Sequence, residues 1–157
     1  MKKLSLALLA LATSASAKDR TPPAPQEAPI VASVDGLPIG AIPKQQLPLK
    51  GCAAFLWTRG PSHALVAMAT ADPAAIRMTI DGKVQDFAMT AQNGAGGYGF
   101  SASTEYKGAD VTATLDMTIA ESADMKGGAR VGDSTLRIDR PGRDTVVVPV
   151  GGLIGCA

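Results

Sequence analysis

The sequence predicts an all-β domain of about eight antiparallel strands, preceded by an export signal and a proline-rich tether. Three observations support this. From Cys52 onward, apolar and polar residues alternate with period 2, and turn-forming residues recur without a helical stripe. Two cysteines, Cys52 and Cys156, stand at the two ends of this region. Residues 1–17 have the composition of a signal peptide.

The predicted signal peptide has the three usual parts. Lys2 and Lys3 form a basic start, residues 4–12 (LSLALLALA) form an apolar stretch, and Ala15, Ser16 and Ala17 form a small-x-small cleavage site. A retained membrane anchor would need about 20 apolar residues. We therefore predict cleavage after Ala17, a periplasmic or secreted protein, and no transmembrane segment in the mature chain.

The charge balance excludes some classes of partner. The chain has 15 basic and 14 acidic residues, and loss of Lys2 and Lys3 with the signal leaves 13 basic residues. A mature chain of nearly zero net charge, without basic clusters, is not expected to bind nucleic acid or an anionic membrane.

Residues 18–50 are predicted to be an extended linker, and residues 51–157 the β-domain. The linker has no Phe, Tyr or Trp and is too rich in proline for a helix. One part of it, residues 30–34 or 37–42, is expected to lie along the domain as an irregular edge strand. Seven of the 11 prolines fall in the linker: Pro22, Pro23, Pro25, Pro29, Pro38, Pro43 and Pro48.

Two hairpins are predicted from the pairings that place like faces together. Asp81 and Gly82 form a type I′ turn signal, whose register sets Arg77 opposite Asp86 and Ile76 opposite Phe87. In the other hairpin, Tyr106 is expected opposite Val111. The predicted strands are residues 52–58, 64–70, 75–80, 83–90, 98–106, 111–120, 134–140 and 145–150.

A third hairpin is predicted around a three-residue loop at 141–143. This loop pairs Ile138 with Val146 and brings Arg140 opposite Asp144, whereas a two-residue loop would oppose like charges.

Strands 52–58 and 64–70 do not alternate cleanly, which indicates that both of their faces are covered. Either the tether lies over the outer face, which is the interpretation we favour, or that face awaits a partner.

A disulfide between Cys52 and Cys156 is predicted, because both cysteines would be exported to an oxidising compartment. Closing a loop of this length stabilises the fold by roughly 4–5 kcal/mol on the chain-entropy model. The bridge would bring the first and last strands together, which favours a small closed barrel. A Greek-key sandwich stays open, since the link at 121–133 is long enough to cross between sheets.

No catalytic, metal or cofactor site is predicted. Residues 94–99 (GAGGYG) match the dinucleotide fingerprint, but a strand rather than a helix follows them. Ser62 and His63 lie in a predicted turn, and His63 is the single histidine of the chain. The carboxylates near the hairpins are interpreted as paired or solvated surface charges.

The two longest loops, residues 91–97 and 121–133, remain as candidates for recognition. In the first of them we single out Asn93, Gly96, Gly97 and Tyr98 as a possible partner-binding loop.

Residues 52–156 resemble a group of small exported bacterial β-domain proteins with no established activity. The architecture, residues 80–83 (IDGK) and the glycine loop ending in Tyr98 are more distantly similar to the periplasmic inhibitors of C-type lysozyme. In those inhibitors a Ser-Gly-x-x-Tyr loop enters the lysozyme cleft. Here Gly94 and Ala95 stand at the Ser and Gly positions, so the inhibitory serine is missing.

The sequence therefore predicts a non-enzymatic binding module of the cell envelope, whose partner is an envelope protein or a small ligand. A lysozyme-inhibitor-like protein is the alternative, and a hydrolase is a further one.

Overall fold

The computed structural model describes residues 29–157, which are all-β without a helix. The predicted signal peptide and the first part of the predicted linker lie outside the described residues. The strands are β1 (Ile39–Gly40), β2 (Cys52–Thr58), β3 (Leu65–Ala71), β4 (Ala74–Ile80), β5 (Lys83–Asn93), β6 (Ser103–Gly108), β7 (Val111–Asp116), β8 (Ile119–Ala120), β9 (Gly128–Asp139) and β10 (Val146–Cys156).

Eight of these strands form a closed antiparallel barrel. The order β4-β3-β2-β10-β9-β7-β6-β5 closes through the pairing of β5 with β4. Each strand thus lies beside its neighbour in the chain, and the last strand returns beside the first. This is an up-and-down barrel, so the predicted barrel is confirmed over the sandwich. The short strands β1 and β8 pair with β4 and β9.

The hairpin at Asp81 and Gly82 has the predicted register. Ile80 pairs with Lys83, and Arg77 lies opposite Asp86. Both turn residues have positive φ, 50° at Asp81 and 72° at Gly82, as a type I′ turn requires.

The predicted register of the β6–β7 hairpin is wrong by two residues. Gly108 pairs with Val111, and Tyr106 lies opposite Ala113 rather than Val111. Ala109 adopts a left-handed φ of 49°, which tightens the predicted four-residue turn to two residues. Because side chains alternate with period 2, a shift of two keeps Tyr106 on the inner face.

The predicted strand pairing of the third hairpin is confirmed, but the predicted charge pair between Arg140 and Asp144 is wrong. Ile138 pairs with Val146 as predicted. Arg140, however, forms ion pairs with Asp81 at 2.9 Å and Asp110 at 2.8 Å instead of pairing with Asp144. The arginine therefore joins three hairpin turns at one end of the barrel.

β9 and β10 are longer than predicted, because glycine-rich segments that resemble loops are paired. Gly152 lies opposite Val131, and Gly155 lies opposite Gly128. The last residues of the predicted loop at 121–133, from Gly128 onward, therefore belong to β9.

Side chains fill the barrel interior, as expected for a barrel of this size. Tyr106 is only 1% exposed, and burial raises the pKa of its hydroxyl to about 12. The largest fully buried side chains include Tyr106, Phe87, Leu56, Ile76, Met78, Leu115, Leu136 and Ile154. A ligand of this barrel therefore has to bind on the exterior.

The part of the tether that is described packs on the outside of the barrel. β1 lies in the predicted range 37–42, and the Ile42 amide donates to the Leu65 carbonyl at 2.8 Å. Ile42 is buried with Ala53 and Met68 in a small cluster outside the barrel. The prediction that the tether covers the outer face of these strands is confirmed for β3 and for the start of β2.

A disulfide joins the two ends of the barrel. Cys52 and Cys156 are direct cross-strand neighbours and are bonded, as predicted. The Ala157 amide also donates to the Gly51 carbonyl at 3.0 Å. The first and last strands are thus fastened at their ends.

Residues 29–157 contain no helix of the length and hydropathy needed to cross a membrane.

Candidate functional site

The tether covers the exterior of β2 at Ala53 but leaves Phe55 and Trp57 partly exposed. Phe55 and Trp57 project outward from β2, because Ala54 and Leu56 between them are fully buried in the interior. On β10, Leu153 lies opposite Phe55 and Gly151 opposite Trp57. We call this surface, with Leu47 of the tether, the β2–β10 face.

Small residues on β10 keep the two aromatic rings accessible. Phe55 and Trp57 are partly exposed, and their ring centroids lie 6.5 Å apart with the planes tilted by 34°. This separation is within the range of a favourable aromatic pair. Gly151, opposite Trp57, has no side chain, and the space above it is taken by the Arg59 guanidinium.

A groove of about 490 Å³ lies at the end of the face nearest the disulfide. Its apolar walls come from Leu47, Phe55, Met125 and Leu153, and Lys126 and Asp124 also line it. Glycine allows the tether to approach β10 here, since a Cβ at Gly155 would lie 2.9 Å from a methyl carbon of Leu47.

The other end of the face is polar and is organised by Arg59. Its Nε donates to the Val150 carbonyl at 3.3 Å, and its Nη2 lies 3.0 Å from Asp133 Oδ1. A Cβ at Gly151 would lie 2.9 Å from Nη2, so the glycine makes room for the guanidinium. A cavity of about 310 Å³ is lined here by Trp57, His63 and the Arg59 side chain.

Ser62 has a structural partner in the tether. Its hydroxyl donates to Asp35 Oδ2 at 2.9 Å and lies 3.4 Å from Thr58 Oγ1. These bonds fasten the tether to the β2–β3 turn, in agreement with the interpretation of this segment as a turn.

The predicted partner-binding loop is folded over one end of the barrel, away from the β2–β10 face. Asn93 ends β5 and pairs with Ser103. The Phe100 amide donates to the Gly97 carbonyl at 3.0 Å, and the buried Phe100 ring enters the core. Tyr98 is partly buried and also packs against the core.

Gly96 has a clear structural role in that loop, because a Cβ there would overlap the Phe100 carbonyl oxygen. The structure therefore does not bring Asn93, Gly96, Gly97 and Tyr98 into the groove or the polar cavity described above.

The carboxylates at the hairpin turns are paired with arginines. Hydrogen bonds from Arg140 lower the pKa of Asp81 and of Asp110, and a hydrogen bond from Arg77 lowers the pKa of Asp86. Depressed pKa values favour the charged form, which suits ion pairs and not general acids. Across residues 29–157, no three His, Cys, Asp or Glu side chains converge so that they could hold a metal ion.

Sequence reasoning did not single out the β2–β10 face. The available signals were the consecutive large apolar residues Phe55, Leu56 and Trp57 and the glycines at 151, 152 and 155. The irregular alternation of β2 had indicated either a covering tether or a face awaiting a partner. The tether covers the face near Ala53, whereas Trp57 stays partly exposed.

Comparison with known proteins adds no relative: neither a protein family, nor a curated protein, nor a solved structure matches this chain.

Proposed function

We propose that this chain is an exported, non-enzymatic binding module of the cell envelope that binds its partner through the β2–β10 face. One observation carries the proposal. Phe55, Trp57 and Leu153 form a contiguous apolar row on the outside of a barrel whose interior is already filled.

The clustering of these side chains is what points to binding. Single exposed apolar residues are common on protein surfaces, whereas contiguous apolar patches mark interaction sites. Leu153 is 45% exposed, and Leu47 of the tether, which lines the same groove, is 47% exposed. Contact of an aromatic pair and its neighbouring leucines with water is unfavourable. A partner that covers them would remove this contact and gain free energy.

Export is supported by two independent features. The disulfide between Cys52 and Cys156 is typical of proteins that fold in an oxidising compartment. Residues 1–17 have the composition of a signal peptide, which directs a chain to export.

The chemistry of the face supports binding without a reaction. Its outward side chains are aromatic and aliphatic, and Arg59 at its polar end is already held by Val150 and Asp133. A reaction would require a nucleophile or an acid–base couple beside the bound ligand.

Trp57 allows a direct test, because it is the single tryptophan of the chain. Mature protein is mixed with three envelope fractions, namely soluble proteins, peptidoglycan sacculi and phospholipid vesicles, and Trp57 emission and co-sedimentation are measured. We expect one fraction to shift the emission to shorter wavelength, since a partner that covers the indole removes it from water.

Matched variants on β10 make this test specific. Leu153→Ser is expected to weaken binding. Val147→Ser alters a side chain of the same strand that is 54% exposed but lies outside the face, and it should bind like the parent. If no fraction binds, or if both variants bind equally well, the proposal is wrong.

Lysozyme inhibition rests on the resemblance alone and stays a prediction. Gly94 stands where the inhibitory serine would be, and Tyr98 is packed against the core. A lysozyme assay with excess domain tests it, and unchanged lysozyme activity would reject it.

A further inference from the structure

We infer that the partner of the β2–β10 face is an anionic phospholipid surface, on which the face lies flat. This inference rests on the proposed function and names the partner of the same site. Two independent properties of the face carry it, namely the exposure of its apolar side chains and the sign of the charge beside them.

Three leucines, two of them in the tether, are exposed. Leu49 is fully exposed, at 103% of its reference area, and Leu47 and Leu153 are each nearly half exposed. Phe55 lies opposite Leu153 and lines the groove with Leu47. Leucines that enter the acyl region, with an indole at the headgroup level, are typical of proteins that bind a membrane interface.

Two cations border this apolar surface, and a third follows the exposed Leu49 in the chain. Arg130 of β9 lies directly opposite Leu153, Lys126 lines the groove with Leu153, and Lys50 follows Leu49 in the chain. Among the residues that the structure describes, none of the three takes part in an ion pair.

The carboxylates of the same surface offset only part of these charges. Asp133 is occupied by Arg59 at 3.0 Å, and Asp124 lines the groove next to Lys126. The face therefore carries an excess of positive charge around an apolar centre. Phosphate headgroups over acyl chains have the complementary arrangement.

The sequence had argued against an anionic membrane, because basic residues are not clustered along the chain. Lys126 and Arg130 are brought beside Leu153 by the pairing of β9 with β10. The electrostatic patch is thus a product of the fold.

A glycan or a protein fits the face less well. Glycan recognition requires free hydrogen-bonding groups, whereas the Arg59 guanidinium is already held by the Val150 carbonyl and Asp133. The cores of protein interfaces are depleted in lysine, whereas long lysine side chains reach phosphates easily from an apolar surface.

The test uses the mature chain with its disulfide intact and vesicles of two compositions. One contains phosphatidylcholine alone, and the other contains phosphatidylcholine with phosphatidylglycerol. We expect binding to the anionic vesicles, a shift of Trp57 emission to shorter wavelength, and quenching of Trp57 by brominated acyl chains. Added salt should weaken binding, because it screens the electrostatic attraction.

Charge reversal identifies the responsible surface. Lys126→Glu should lower the partition onto anionic vesicles by about 5-fold, and the combined reversal of Lys50, Lys126 and Arg130 by on the order of 100-fold. Lys83→Glu is the matched control, because Lys83 is an exposed cation without an ion pair among the described residues and begins β5. It should bind like the parent.

Equal binding to both vesicle compositions, no quenching of Trp57, or an equal effect of Lys83→Glu and Lys126→Glu would each overturn the inference. If the protein or sacculus fraction binds and is sensitive to Leu153→Ser while vesicles do not bind, the lipid partner is wrong and the proposed function stands. If no fraction binds, both are wrong.

Discussion

The β2–β10 face and the wall formed by β5, β6 and β7 are built on the same barrel but have opposite surfaces. On the second wall, outward polar side chains bond to one another along and across the strands. Lys107 lies 2.9 Å from Glu105, Thr90 donates to Glu105 at 3.0 Å, and Ser103 donates to Asp116.

On the β2–β10 face the outward side chains Phe55, Trp57 and Leu153 are apolar, and among residues 29–157 the neighbouring Lys126 and Arg130 take part in no ion pair. The polar side chains of the β5–β7 wall thus bond to one another, whereas the β2–β10 face presents apolar side chains. Strict alternation gives β6 and β7 a solvated surface. The run Phe55, Leu56 and Trp57 on β2 and the glycines of β10 give a surface on which two aromatic side chains are partly exposed.

Removal of the disulfide, which joins the ends of β2 and β10, should have the largest effect on the free energy of unfolding. Replacing Cys52 and Cys156 together by alanine is expected to lower the free energy of unfolding by about 4 kcal/mol, because the open chain gains loop entropy when it unfolds. Urea unfolding followed by Trp57 fluorescence measures this. A loss below about 1 kcal/mol would mean that strand pairing alone holds the ends together.

A smaller effect is expected from Gly152→Ala, which breaks the close approach of β10 to β2. A Cβ at this position would overlap the Phe55 carbonyl oxygen, so the strands must separate. We expect a loss of about 3 kcal/mol, the upper end for overpacking, and an altered Trp57 emission spectrum.

Gly97→Ala is the control for this substitution, because a Cβ there meets nothing within 4 Å. Its effect should stay within about 0.5 kcal/mol. If the two alanine variants lose similar stability, the tight contact between Gly152 and Phe55 does not hold.

The smallest effect concerns Tyr106, on the inner side of the opposite wall. Its pKa is raised by burial to about 12, whereas an unfolded tyrosine has a pKa near 10. The folded state therefore holds the proton more tightly, so the stabilisation is complete below pH 10 and is lost as the pH rises towards 12. By pH 11 the loss should be about 1.4 kcal/mol.

Tyr106→Phe should remove this dependence between pH 10 and 12, and urea unfolding at several pH values measures it in both proteins. An unchanged slope in the variant would show that another group causes the alkaline loss.

Much of the fold could be predicted because its signals are local. The turn at Asp81 and Gly82 sets its own register, since both residues favour positive φ. The register at Tyr106 was missed because the left-handed conformation of Ala109 has no such local signal.

The partner of Arg140 was also missed, for a different reason. Its ion pairs join turns that are distant in the chain, with Asp81 59 residues away and Asp110 30 residues away. No pairing rule within one hairpin can find them.

The sequence by itself determined an all-β chain, its hairpin order and the bridge between Cys52 and Cys156, because alternation, turn chemistry and cysteine position act over short distances or leave a single choice of pair. The candidate site depends on tertiary contacts. Closure of β2 against β10 places Phe55 beside Leu153, and the pairing of β9 with β10 brings Arg130 and Lys126 next to them. Such contacts depend on which strands become neighbours, which is a property of the whole chain.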